Sequence, residues 1–397
     1  MSVKKSWYAV AGLAVLLALS AQAAAAAGKT ASWTVMVYLN ADNNLDAYGY
    51  ADIAEMAAVG STSSVNVVVL WDTFDGPAYL YRVVQGGVEV VKGFALNGKE
   101  ANMGSGDTLG AFVDFAVAKF PAAKYNLVLW DHGDDFRGFS WDDHPGEGTG
   151  DDFMTHDEII AALTGHPLDI LAYDGCVMGN LEVSYEYVAR GLDIELLVAS
   201  EIYIPLEGFA YDGLLAAVAA DPGMAPVDFA KAMVDSYWDF YDNPGWQVGL
   251  SVIRMSEVAE LVAATGEVSR MLAADMPAYR SAVASARGTA MLSWSMYGWE
   301  AFIDFGTWAH TLEVQVGTDP ALGAALDRVL VALEDTVPYV RNTHTLDVKG
   351  ASGIGVFFPG SEGSFEHNIY WHGDYYLRTR FPYEGWLGML EEYWGGK

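Results

Sequence analysis

Two short segments of the chain carry residue types that do chemistry together. Asp131-His132-Gly133 follows the apolar run Asn126 to Trp130, and Asp174-Gly175-Cys176 follows the apolar run Leu168 to Tyr173. A cysteine becomes a useful nucleophile when an imidazole and a helix N-terminus favour its thiolate. Leu181 to Arg190 reads as a helix, and its start near Met178 to Leu181 would supply that dipole. Gly133 lets the backbone approach a carbonyl closely, so its N–H and that of Cys176 form a candidate oxyanion hole. Each residue also has a plainer reading: His132 as a hydrogen-bonded strand-end side chain, Cys176 as an inert packing thiol. Cys176 is the one cysteine of the chain, so it forms no intramolecular disulfide. Their placement at two strand ends favours a His132/Cys176 dyad.

The elements that must position these residues alternate. Trp33 to Leu39 is an apolar, β-rich run closed by Asn40-Ala-Asp-Asn-Asn44, and Leu45 to Val59 has helical spacing and stops at Gly60. Val65 to Trp71 is a second buried strand, and Tyr79 to Val84 with Val88 to Phe94 reads as a hairpin around Gly86-Gly87. Thr108 to Phe120 is helical and stops at Pro121; Met154 to Leu163 is another helix, and Leu196 to Ser200 another strand. Continuous apolar strands separated by amphipathic helices predict an α/β fold with a mostly parallel sheet covered by helices on both faces. In such sheets ligands bind where the strands end. Beyond about residue 205 the pattern loosens. Helices are expected at Pro226 to Tyr241, Met255 to Ala274 and Glu384 to Trp394, with strands at Val248 to Ile253 and Gly353 to Phe358. The expected division is 32–275 for the main domain and 276–397 for a C-terminal subdomain packed on it.

Composition narrows the class. The chain has 397 residues, 52% of them apolar and 18% charged, which is ample for a large core. Its 52 acidic and 21 basic residues give a net charge of -31. That surface repels phosphate backbones, which argues against a nucleic-acid partner, and attracts cationic substrates or metal ions. Lys4 and Lys5, the apolar run Trp7 to Leu19 and the small residues through Ala27 read as a secretory signal peptide, residues 1–27, cut after Ala23 to Ala27. No second apolar run reaches spanning length, so a secreted or periplasmic protein without a membrane span is expected.

The segments WTVMVYLNADNNLD (33–46), NMGSGDTL (102–109), LVLWDHG (127–133), DILAYDGCVMGNLEVSYE (169–186), SEIYIPLEGFAYDGLL (200–215) and GIGVFFP (353–359) occur in the order of a known family. The chain resembles the clostripain family of cysteine peptidases, of clan CD. The resemblance implies a caspase-like fold, His132 and Cys176 as the catalytic dyad, and secreted endopeptidase activity after Arg or, in some members, Lys. It places Asp174 where the S1 carboxylate is expected, although Asp174 also suits a cap on the following helix. Substrates would be proteins or peptides with basic residues, drawn by the 12 acidic residues and single base, Arg137, between 131 and 174.

Two features depart from the family pattern. Members are often cut between the dyad residues after a basic residue, yet residues 138–189 contain no Lys or Arg. Gly175 stands where the family usually has Ala. No cofactor is required by this reading. Calcium is a possible ligand of the acidic stretch Asp134 to Asp152, with Asp135, Asp142, Asp143, Glu147 and Asp151, although no EF-hand spacing occurs. His144 and His156 lack zinc spacing, no GxSxG elbow is present, and GSGDTLG (104–110) is not a dinucleotide fingerprint. The aromatic stretch Trp294 to Trp308 reads as core. The competing reading is an exported binding or adhesion protein on a vestigial peptidase fold.

Overall fold

A computed structural model describes residues 30–146, 150–243, 245–290, 301–316, 319–343 and 350–395. The signal-peptide segment, Glu147 and the first half of the Trp294 to Trp308 stretch lie outside these residues; Trp308 itself is fully buried. The strands are β1 (Ala31–Ala41), β2 (Val65–Thr73), β3 (Gly76–Val84), β4 (Gly87–Val90), β5 (Ala122–Trp130), β6 (Gly133–Asp134), β7 (Gly138–Asp142) and β8 (Asp152–Met154). They continue with β9 (Leu168–Asp174), β10 (Ile194–Ala199), β11 (Gly249–Arg254), β12 (Phe302–Asp304), β13 (Tyr339–Asn342) and β14 (Gly355–Phe357). The helices that matter below are α1 (Asp46–Val59), α2 (Gly106–Lys119), α3 (His156–Leu163), α4 (Leu181–Ala189), α5 (Tyr211–Ala220) and α6 (Pro226–Tyr241).

Among the described residues, nine strands form the main sheet in the order β13-β11-β10-β9-β5-β1-β2-β3-β4. The five central strands, β10 to β2, are parallel, and antiparallel pairs flank them on both sides. The sequence explains the burial. In β1, Val35, Val37 and Leu39 point to one face and Met36 and Tyr38 to the other, and all five are inaccessible. One face packs on Met56 of α1, Leu214 of α5 and Phe229 of α6; the other packs on Phe112 of α2, Ile159 of α3 and Leu181 of α4. A strand buried on both sides has no polar alternation, which is why these runs read as continuous apolar segments.

Local differences from the sequence reading have identifiable causes. Met154 is not helical. It ends β8 opposite Phe139, and α3 starts at His156 behind a capping box made by Thr155 and Glu158. The chain after 275 contributes β13 to the edge of the main sheet, next to β11. It also contributes β14, whose Gly355 N–H donates to Gly179 O at 2.8 Å, on the loop that follows Cys176. No described helix is long and apolar enough to cross a membrane.

Candidate active site

Strand register brings the two motifs together. Trp130 of β5 pairs with Asp174 of β9. His132 and Cys176 each lie two residues beyond that pair, at the C-terminal edge of the sheet, and both line the same clefts. The parallel strands run in the order β2-β1-β5-β9-β10, so the connections reverse direction next to β1 and β5. That is where a doubly wound sheet opens a crevice.

The His132 shelf is tied to the end of β1 by three asparagines. Asn40 Nδ2 donates to Asp131 Oδ2 and to Trp141 O, each at 2.8 Å, and Asn43 Nδ2 donates to Asp131 Oδ1 at 2.8 Å. Asn44 Oδ1 lies 2.8 Å from His132 Nε2. With that oxygen as acceptor, Nε2 carries the proton and Nδ1 keeps its lone pair. Burial lowers the His132 pKa, against an opposing pull from Asp143, so the neutral imidazole is favoured. The asparagines were visible as the polar close of β1, but the sequence assigned them no role.

Cys176 sits in a strained turn. Val177, next in the chain, has φ of 54°, a left-handed conformation that costs a β-branched residue about 1–3 kcal/mol. Its N–H donates to Ile202 O at 3.0 Å, and Asn180 Nδ2 donates to Val177 O at 2.9 Å. The Ile204 N–H lies 3.4 Å from the Cys176 Sγ. Asn180 also caps α4, its side chain accepting from Val183 N–H. Gly133 lies directly against this turn: a Cβ there would stand 2.3 Å from Cys176 O. Any side chain at 133 would therefore push the two segments apart. Gly175 is equally confined, since a Cβ would meet Asp131 O and the Phe139 ring at 2.4 Å each.

Asp174 does not cap α4. Its buried carboxylate accepts from Phe209 N–H at 3.0 Å and from Tyr211 Oη at 2.9 Å, both through Oδ2, while Oδ1 has no partner among the described residues. It lines a narrow pocket together with His132, Cys176 and Ile204 to Leu206. Gly208, at φ 62°, packs over it; a Cβ there would lie 2.9 Å from both carboxylate oxygens. Burial pushes the Asp174 pKa up to about 7, partly offset by its two donors. A neighbouring negative charge from Glu55 acts in the same direction as burial.

The acidic loop after β6 is partly consumed by structure. Asp142 Oδ2 accepts from Met103 N–H at 2.6 Å, and Asp152 Oδ2 accepts from Asn102 Nδ2 at 2.7 Å. Among the described residues no three or more His, Cys, Asp or Glu side chains are grouped to hold a metal ion. His156 is buried, bonded to Tyr187 Oη and to Asp135 O.

The fold recurs in solved structures. A secreted C11 cysteine protease from Bacteroides thetaiotaomicron, in complex with an irreversible peptide inhibitor, superposes with a TM-score of 0.68 at 19% identity, over 89% of this chain and 98% of that one. An inactive zymogen C11 protease from Parabacteroides distasonis gives 0.64 at 19% identity, over 90% and 98%. The fold is therefore the mixed α/β, caspase-like fold of those proteins. The clostripain family model matches residues 37–313, and the chain belongs to the clostripain family. Clostripain of Hathewaya histolytica is 31% identical over 231 residues, which cover 48% of this chain and 43% of clostripain. The match thus spans less than half of that relative's length.

Proposed function

We propose that the protein is an exported cysteine endopeptidase that cleaves after basic residues, Arg and also Lys. The observation that carries this reading is the single strand end of β9. It presents the buried carboxylate of Asp174, with one oxygen unpartnered, two residues before the only thiol, beside His132. A guanidinium in that pocket would satisfy the open oxygen with a charge-assisted hydrogen bond.

The chemistry follows from the groups present. His132 takes the thiol proton on Nδ1 as the Cys176 sulfur attacks the carbonyl carbon of the basic residue, and the developing oxyanion is held by the Gly133 and Cys176 N–H groups. His132 gives a proton to the leaving amine as the C–N bond breaks, leaving a thioester. It then takes a proton from water, whose oxygen attacks the thioester, and returns that proton to the sulfur as the C–S bond breaks and the acid product leaves. Asn44 keeps the imidazole oriented throughout. Export is supported by the signal-peptide pattern, and one solved relative is described as secreted. No cofactor is required in this reading.

The test is cleavage of fluorogenic peptides bearing Arg, Lys, Asp or Ala before the scissile bond. Cys176→Ala should abolish turnover, and Asp174→Asn should lower kcat/KM on Arg peptides by about 100-fold or more. Preference for Asp or Ala would refute the role of Asp174. Silence on all four peptides by folded protein would favour the binding-protein reading, and loss of activity on chelation would restore a calcium requirement.

A further inference from the structure

A second, larger cleft adjoins the dyad and shares the segment Ile204 to Leu206 with the narrow pocket. It has a volume of about 490 Å³, with His132, Gly133 and Cys176 at one end. Its walls are mostly carbon: Tyr203, Ile204, Pro205, Leu206 and Trp246, with Glu207 as the one carboxylate. The peptidase reading uses only the narrow pocket over Asp174, so this volume has no assigned occupant. We propose that the cleft is the subsite for the residue immediately before the cleaved basic residue, and that it selects a large apolar side chain.

The proposal rests on the peptidase reading and on two further arguments. The first is directional. A substrate bound in extended form sends successive side chains to opposite faces. If the basic side chain descends onto Asp174, the preceding side chain is directed away from that pocket. The cleft is the volume beside the dyad that Asp174 does not line, and it shares Ile204, Pro205 and Leu206 with the first pocket. The second argument is rigidity. The Trp246 ring stands edge-on to Tyr241 at 5.4 Å, and the Tyr241 hydroxyl donates to Gly208 O at 2.9 Å. Gly208 is the residue packed over Asp174. One chain of contacts therefore fixes the far wall of the cleft and the floor of the basic pocket, and a preformed apolar wall binds without an ordering cost. Glu207 repels an acidic side chain at the same position.

The experiment is a matched series of fluorogenic peptides with Arg at the cleaved position and Phe, Leu, Gly or Asp before it. Wild type, Trp246→Ala and the half-exposed Leu206→Ser would be compared, with thermal melts confirming that each is folded. Wild type should prefer Phe and Leu over Gly by about 10- to 100-fold in kcat/KM, with Asp poorest. Each variant should shrink the Phe-to-Gly ratio to within about 3-fold. Leu206→Ser keeps the test alive if Trp246→Ala fails to fold. Cys176-dependent cleavage with no preference at this position would overturn the subsite and leave the peptidase intact. An apolar preference found only after the scissile bond, in internally quenched peptides, would also overturn it. Absence of Cys176-dependent cleavage of every peptide would overturn both readings together.

Discussion

Asn44 reaches His132 from the turn between β1 and α1, and that contact sets which ring nitrogen holds the proton. Replacing it with Ala should lower kcat by about 10- to 100-fold while leaving KM nearly unchanged, as expected when a catalytic group is misplaced by a fraction of its working distance. Steady-state kinetics with Asn44→Ala and Asn44→Asp would check this, Asp restoring part of kcat because it still accepts from Nε2. In the proposed peptidase Asp174 would set the pH profile. Its pKa of about 7 means that the empty pocket is neutral in acid and charged in base, so kcat/KM on Arg peptides should fall as pH drops through 7. His132, whose pKa is lowered, stays neutral through that window and does not cause the loss. The pH–rate profile of Asp174→Asn should accordingly lose the limb near 7 and retain only a more acidic one.

Two buried glutamates fasten the late strand to the nucleophile's neighbourhood. Glu182 Oε1 accepts from Phe357 N–H at 3.0 Å, and Glu201 Oε1 accepts from Gly353 N–H at 2.9 Å. Burial raises the Glu182 pKa to about 8, so it is a neutral acid at pH 7 and an amide is its near-isostere. Glu182→Gln should change stability by less than about 1 kcal/mol at pH 7, whereas Glu182→Ala should cost roughly 2–4 kcal/mol by orphaning the Phe357 N–H and leaving a cavity. Urea titration of both variants separates these outcomes. The sequence could not show this clamp, because its partners lie more than 150 residues apart and no periodicity marks them. The same limit hid the small sheet of β6, β7 and β8, whose strands are two to five residues long and held in part by Asn40 and Asn43. The central strands were legible because burial on both faces leaves an unmistakable apolar run, and their ends then named His132 and Cys176. Asp174 was legible through resemblance alone. Its pocket depends on Phe209, Tyr211 and Gly208, which only the fold returns to β9.

At the scale of the whole molecule, buried acids govern the response to pH. Asp174 and Asp142 titrate near 7, Glu182 near 8 and Asp72 near 9, each raised chiefly by burial. A carboxylate raised in the folded state holds its proton after the unfolded chain has released its own. Its stabilisation is complete below about pH 4 and drains away as pH climbs toward 7 to 9. The net charge of -31 adds self-repulsion in the same direction. The melting temperature should therefore be higher at pH 5.5 than at pH 8.5, and the reverse order in a scanning calorimeter would contradict the buried-acid assignment. The absence of Lys and Arg from 138 to 189 predicts a working enzyme that remains one chain. An Arg-directed covalent probe should label a single uncut band through Cys176, and labelling confined to a fragment would refute this. Finally, the proposed basic pocket's carboxylate and the candidate nucleophile share one strand end in the core, while Tyr203 to Glu207 and Gly245 to Gln247 are connecting segments at the rim. Swapping the charge preference by mutation would disturb the machinery that cuts. Retuning the neighbouring position would not, so the rim is where a designer, or drift between lineages, has room to make new proteases from this one.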